Sequence, residues 1–293
     1  MDITRRVFIK HSALTGLLLS GLPLYSNNLL RAFFDDDETI CRNKFKLFVD
    51  ASIATKSIGD AIVEIGKSFL GTEYIGGTLD KDTKNEKLVI NLTGLDCVTF
   101  VENCLVFARC VIRGETEFKN YEKDLAWIRY RNGYIDGYAS RLHYFCDWIY
   151  DNEDKGVVKN ITSEIGGVPY KKTINFMSTH TKSYKQLSNK TELEGIKACE
   201  EAINSRDYYY IPTKSISKAY DLLKNGDIIA TTTSIDGLDV THTGYVYKSE
   251  GGTYFLHASS KSKEVIVSGE ELQEYVASDS KKTGIMVARP LEI

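Results

Sequence analysis

The chain has 293 residues, of which 42% are hydrophobic and 11% aromatic, and a formal net charge of −3. That composition places it among globular proteins with enough apolar material for one large packed core or two smaller ones. No basic patch of the kind that neutralises a phosphate backbone is present, which excludes a nucleic-acid partner.

In chain order, Thr4-Arg5-Arg6-Val7-Phe8-Ile9-Lys10 is followed by an apolar run from Ala13 to Tyr25. The run is too short to span a bilayer as a stable helix, and the paired arginines resemble a twin-arginine export leader. No cysteine follows at the distance of a lipid attachment site, since the first is Cys41. Residues 1–34 are therefore expected to be an export signal, and the protein to be periplasmic without stable membrane insertion once that signal is removed. Those residues hold four basic side chains and one acidic one, so the rest of the chain carries a charge of −6.

Residues 35–293 read as one domain. Asp35-Asp36-Asp37-Glu38 is expected to be a solvated acidic stretch, followed by a helix over Asn43 to Ala54. Ile58, Ile62, Ile65 and Phe69 recur at helical spacing between Ser57 and Gly71, and Leu88 to Leu92 reads as a short strand. A helix opening at Cys97 is apolar nearly all round, with Val101, Leu105, Ala108 and Ile112 on one side and Phe100, Phe107 and Val111 on another, as a central buried helix must be. The stretch around residues 115–210 is expected to be a helical insertion, with His143 on one of its helices. From Asn225 onward the chain is rich in strands, which Val265-Ile266-Val267 and Ile285-Met286-Val287-Ala288 complete. Helices first and an antiparallel sheet later give an α+β fold.

The chemistry centres on Cys97. Asp96 is positioned to cap the helix that Cys97 begins, and a thiol in the first turn feels unpaired N–H groups and the positive end of the helix dipole. Both stabilise a thiolate, so a lowered thiol pKa is expected. Two histidines lie far downstream, His242 in Thr241-His242-Thr243-Gly244 and His257 in Leu256-His257-Ala258-Ser259. Their strands flank a glycine-bearing turn and form a hairpin. A Ser249-Glu250 loop places the two imidazoles directly opposite each other, a Glu250-Gly251 loop places them diagonally on the same face, and a bulge breaks the argument. A thiol served by one imidazole that a second group orients is the general design of an activated nucleophile.

The six cysteines are expected to be mostly free thiols rather than a disulfide framework. Cys97, Cys104 and Cys110 share one helix at spacings that cannot bridge, and Cys41, Cys146 and Cys199 are scattered, so free thiols are expected. Export of an already folded chain fits that, because folding then finishes in a reducing cytosol. A zinc site built on Cys97, His242 and His257 lacks a further paired ligand, and no metal or other cofactor is expected. Arg131, Tyr138, Arg141 and His143 fall within a run of aromatic and cationic residues suited to stacking on sugar rings and binding carboxylates.

Five motifs occur in a specific order: Gly71-x-x-Tyr74-x-Gly76-Gly77, Asp96-Cys97, Gly226-Asp227, His242-x-Gly244 and His257-Ala258-Ser259. In that order they resemble the NlpC-type papain-like cysteine hydrolases of peptidoglycan. Gly76-Gly77-Thr78-Leu79, Leu95 to Glu102, Gly137 to Tyr144 and Leu238 to Gly244 are similar to the N-acetylmuramoyl-L-alanine amidase-like branch, once catalogued as a domain of unknown function. The resemblance spans roughly residues 45 to 290. It implies a papain-like fold in which Cys97 attacks, His242 is base and then acid, and His257 orients His242. It also implies that Tyr74 lines the cleft and that the segment from Arg131 to Trp148 is the natural place for glycan recognition; Asp96, Arg131, Tyr138, Arg141 and His143 are accordingly expected to contact substrate. The implied substrates are muropeptides in their anhydro form, cut between the muramyl lactyl group and L-alanine during cell-wall recycling; separately, the protein is expected to be a monomer. Cleavage between D-glutamate and the diamino acid of the stem, and silent muropeptide binding, are the two other readings this scaffold allows.

Overall fold

The computed structural model describes residues 36–82 and 84–293. The export signal expected at residues 1–34 lies outside them.

Asp36 caps the first helix by accepting the Thr39 N–H at 2.8 Å, so α1 begins at Asp37, six residues before the expected start at Asn43, and runs to Asp50. The acidic stretch is thus more than a solvated tail, since Asp37 also accepts the Leu92 N–H at 2.8 Å. Ser57 caps α2 (Ile58–Lys67), which buries Ile58, Ile62 and Ile65. The expected strand at Leu88 to Leu92 does not form. Its backbone is held by side chains instead: Val89 accepts from the Arg129 guanidinium at 2.5 Å, and Leu92 donates to Asp37. Two short parallel strands, β1 (Glu73–Tyr74) and β2 (Gly94–Leu95), lead into α3 (Cys97–Arg113), which ends where Gly114 adopts a left-handed conformation with φ 71°.

The middle third supplies α4 (Phe118–Arg129), α5 (Phe145–Asp154), α6 (Phe176–Thr179) and α7 (Lys190–Asn204). It is not purely helical. Short strands β3 (Val158–Asn160), β4 (Val168–Pro169) and β5 (Tyr209–Pro212) arise from or border it, and β3 and β5 pair with the last strand, which stitches the insertion to the sheet. The remaining strands are β6 (Ile228–Thr233), β7 (Val240–Ser249), β8 (Gly252–Ser259), β9 (Glu264–Val267) and β10 (Lys282–Pro290), with α8 (Leu272–Ala277) before the last. The order across the sheet is β2-β1-β9-β8-β7-β6-β10-β5-β4, and the described strand pairs other than β1 with β2 are antiparallel. The fold is α+β.

Two apolar layers hold the sheet. On one face α3 lies against β7 and β8, with Phe100, Val101, Leu105 and Phe107 fully buried among Phe45, Ile62, Phe69, Tyr245 and Leu256. Each such side chain contributes about 1.5–3 kcal/mol by leaving water, so this layer fixes α3 rigidly. Tyr245 reinforces it by donating its hydroxyl to the Val101 carbonyl at 2.6 Å. On the other face α8 closes a smaller core of Val246, Phe255, Leu272, Val276, Ile285 and Val287. All six cysteines are free thiols. No helix of the described residues is long and apolar enough to cross a membrane.

Candidate active site

Cys97 is the first residue of α3, and a capping box sets it there. Asp96 accepts the Thr99 N–H at 2.8 Å while the Thr99 hydroxyl accepts the Asp96 N–H at 2.9 Å. Because α3 is packed on every side, the sulfur cannot shift far. The backbone N–H groups of Thr243, Val98 and Cys97 itself are directed at it.

The hairpin settles the histidine register. Ser249 pairs with Gly252 and Tyr245 with Leu256, so the loop is Glu250-Gly251 and the two imidazoles take the diagonal relation. The diagonal is close: His242 Nε2 and His257 Nδ1 are 2.7 Å apart, with ring centroids at 4.8 Å. Gly244 makes the approach possible, since a Cβ there would stand 2.7 Å from the Cβ of His257. Phe255 stacks on His257 at 4.7 Å, and Tyr275 of α8 packs against the same ring at 4.9 Å.

Cys97 and His242 line one cleft of about 250 Å³. No hydrogen bond joins the thiol to His242 among the described residues, as is common before a substrate draws catalytic groups together. Burial and the Asp96 carboxylate push the Cys97 thiol up to about 12, despite the N–H groups around it. The expected lowered pKa is therefore not met, because desolvation outweighs the helix terminus here. Burial, with His257 and Lys282 nearby, holds His242 well below the ordinary imidazole range, and burial and Lys282 bring His257 down to about 3. The resting site thus pairs a neutral thiol with two neutral imidazoles.

Tyr138, Arg141 and His143 line the same cleft, as does Asp96, whose carboxylate is engaged by the helix cap. Arg141 is buried between Asp80 and Glu86 and lies over the Tyr138 ring at 5.0 Å. His143 is on the loop before α5 rather than in a helix, because its Nε2–H donates to the Tyr138 carbonyl at 2.7 Å and folds the segment back. Burial and the neighbouring Arg141 lower its pKa to about 3. Tyr74 is half-buried near Cys97 and Asp96, and burial pushes its hydroxyl up to about 12. It is not among the residues lining this cleft.

Arg131 is a correction. It does not line the cleft; its guanidinium donates to Asp147 at 2.6 Å and reaches the Cys199 sulfur at 3.3 Å, so it braces α5 against α7.

Sequence reasoning missed several wall residues. Glu102 and Arg129 form a buried ion pair at 2.7 Å in the wall of the cleft, and Asp239 is buried there accepting the Cys146 N–H at 2.8 Å. A glutamate on a helix apolar nearly all round was the available signal, since buried carboxylates require partners. Tyr275 and Lys282 had no signal, because α8 and the start of β10 reach the histidines only through tertiary packing.

A family model described as AmiA-like, N-acetylmuramoyl-L-alanine amidase-like, matches residues 64–285. An N-acetylmuramoyl-L-alanine amidase from Bacteroides uniformis superposes with a TM-score of 0.76 at 34% identity, covering 80% of this chain and 99% of that one. A Bacteroides fragilis protein proposed to be a xylanase gives 0.72 at 37% identity over 76% of this chain and 98% of its own. A Legionella pneumophila protein of the family DUF1460 gives 0.67 at 23% identity over 87% and 95%, a likeness of fold. A search of curated proteins finds no match. The capped cysteine, the joined histidines and these matches lead to one placement: the chain belongs to the AmiA-like, N-acetylmuramoyl-L-alanine amidase-like family.

Proposed function

We propose that this protein is a cysteine-dependent amidase that hydrolyses the bond between the lactyl carbonyl of N-acetylmuramic acid, in its anhydro form, and L-alanine of peptidoglycan fragments. The observation that carries the reading is the 2.7 Å contact between His242 and His257 on a cleft that Cys97 opens from a helix terminus. His242 uses Nε2 toward His257, which leaves Nδ1 to accept the thiol proton. For Nδ1 to be the acceptor, Nε2 must carry hydrogen and donate to His257 Nδ1, so His257 carries its own hydrogen on Nε2.

With thiol and imidazole both neutral at rest, the proton moves to His242 as sulfur adds to the lactyl carbonyl. The oxyanion is held by backbone N–H groups at the start of α3, including that of Cys97. His242 then returns the proton to the amide nitrogen, the C–N bond breaks, and the stem peptide departs with a free amine. A thioester remains. Water gives a proton to His242 and its oxygen to the carbonyl, the C–S bond breaks, and Cys97 recovers its proton. Export accompanies this reading and rests on the paired arginines and apolar run before residue 34; cell fractionation checks it.

The test is to incubate the protein and a Cys97→Ala variant with a disaccharide anhydro-muropeptide and weigh the products. Disaccharide plus an intact stem peptide from the parent protein is expected, with turnover by the variant lower by several orders of magnitude. A cut inside the stem moves the protein to the endopeptidases. No cut by either, with the muropeptide bound, makes it a binding module.

A further inference from the structure

His242 borders two clefts. Besides the one it shares with Cys97, a second of about 450 Å³ opens on the far side of the histidine pair, lined by Thr241, His242, His257, Tyr275 and Lys282. Its acidic residues are Glu270 and Asp279.

His257 is 1% exposed, lines this second cleft and does not line the first. Its Nδ1 is taken by His242, and its Nε2 is buried with no hydrogen-bond partner among the described residues. The proton arrangement above makes that atom an N–H donor. An unmatched buried donor is destabilising, and that cost is relieved when an acceptor arrives. The cleft's cations are Lys261 and Lys282, and the Lys282 ammonium rests 4.0 Å over the Tyr275 ring rather than against a carboxylate among the described residues. Burial lowers its pKa while Asp279 and Glu270 oppose that change. The cleft therefore offers an N–H donor and an ammonium near one another, with two carboxylates beside them.

The reaction direction says what arrives there. His242 must protonate the leaving nitrogen, so the peptide begins at His242 while the acyl half stays on Cys97. With the muramyl half toward Tyr138, Arg141 and His143, the second cleft that His242 borders is open to the peptide.

We infer that the second cleft is the subsite of the departing peptide, in which a peptide carboxylate is held by Lys282 and the His257 Nε2–H, and the side-chain amine of a diamino acid by Glu270 and Asp279. The inference rests on the amidase reading for its direction, but its test does not use turnover. An anion on His257 Nε2–H also fixes the tautomer that leaves His242 Nδ1 free to act as base.

The experiment is calorimetric binding of the free stem tripeptide, L-alanyl-D-glutamyl-diamino acid, to the Cys97→Ala protein, against the same peptide with its carboxyl groups amidated. Amidation is expected to weaken binding at least tenfold, Lys282→Met to reduce that ratio to about twofold, and Lys282→Arg to restore it. In the protein labelled with 15N-histidine, the His257 Nε2 resonance is expected to move with the acid peptide and to stay still with the amide. Equal affinity for the two peptides, or a ratio that survives Lys282→Met, overturns the inference. The peptide comparison needs no Lys282 variant, so a misfolded substitution does not rescue it. If the tripeptide discriminates as expected while the muropeptide is not cut, the amidase reading fails and the peptide subsite stands.

Discussion

The two polar constellations around the cleft handle charge in opposite ways. At Cys97, His242 and His257 every reactive group is neutral at rest, because burial disfavours the thiolate and the imidazolium alike. A few residues away, Glu102 with Arg129 and Arg141 with Asp80 and Glu86 are locked in partnered pairs. On the proposed amidase reading, the groups that would exchange a proton start uncharged, so that small changes on substrate binding can move it, while the groups that shape the wall are matched in pairs that hold them in place.

The sharpest way to break that contrast is to titrate the thiol. With a pKa pushed up to about 12, Cys97 holds a thiolate fraction on the order of 10⁻⁵ at pH 7, against a few per cent for a free cysteine. Alkylation of Cys97 by iodoacetamide, followed by peptide mass, is expected to be about a thousandfold slower than that of a free thiol at pH 7. Its rate should rise about tenfold for each pH unit from 7 to 10, because the raised pKa leaves that whole range on the protonated side. A fast plateau between pH 6 and 8 means that the site stores an ion pair and that the two constellations are alike.

The paired wall gives the next effect. Arg129→Met leaves Glu102 buried without its partner and is expected to cost about 3–5 kcal/mol in urea unfolding, whereas the double change with Glu102→Leu recovers most of it. If Arg129→Met is tolerated within about 1 kcal/mol, the pair is not a structural brace.

Asp96 links the two regimes and gives the smallest effect. Its carboxylate caps α3 and also raises the Cys97 pKa. Asp96→Ala is expected to lower stability by about 1 kcal/mol through the lost cap while making alkylation at fixed pH faster. Slower alkylation in a folded variant shows that the cap, and not the charge, governs the thiol.

Much of this was legible in the chain. The Cys97 helix could be read because its periodicity, cap and apolar girth agree, and the hairpin because its strands and glycine turn narrowed the register to two cases on the same histidine face. What escaped was set by long-range side-chain tethers. Leu88 to Leu92 has strand composition, yet Arg129 and Asp37 claim its backbone before a neighbouring strand can. Arg131 and Arg141 look alike ten residues apart, and only the positions of Asp147 and of Asp80 with Glu86 separate a brace from a cleft wall. The thiol pKa was misjudged because a sequence reveals a helix terminus but not how much water reaches it.

Gly244 carries a further meaning. Its place opposite His257 has nothing to do with backbone freedom, since its φ is not among the positive ones. It works by subtraction: the carbon it lacks is the space in which His257 stands. The distance between the two imidazoles is thereby written into the chain as a missing atom, and the His-x-Gly spelling of β7 records a clearance, much as a keyhole records a key.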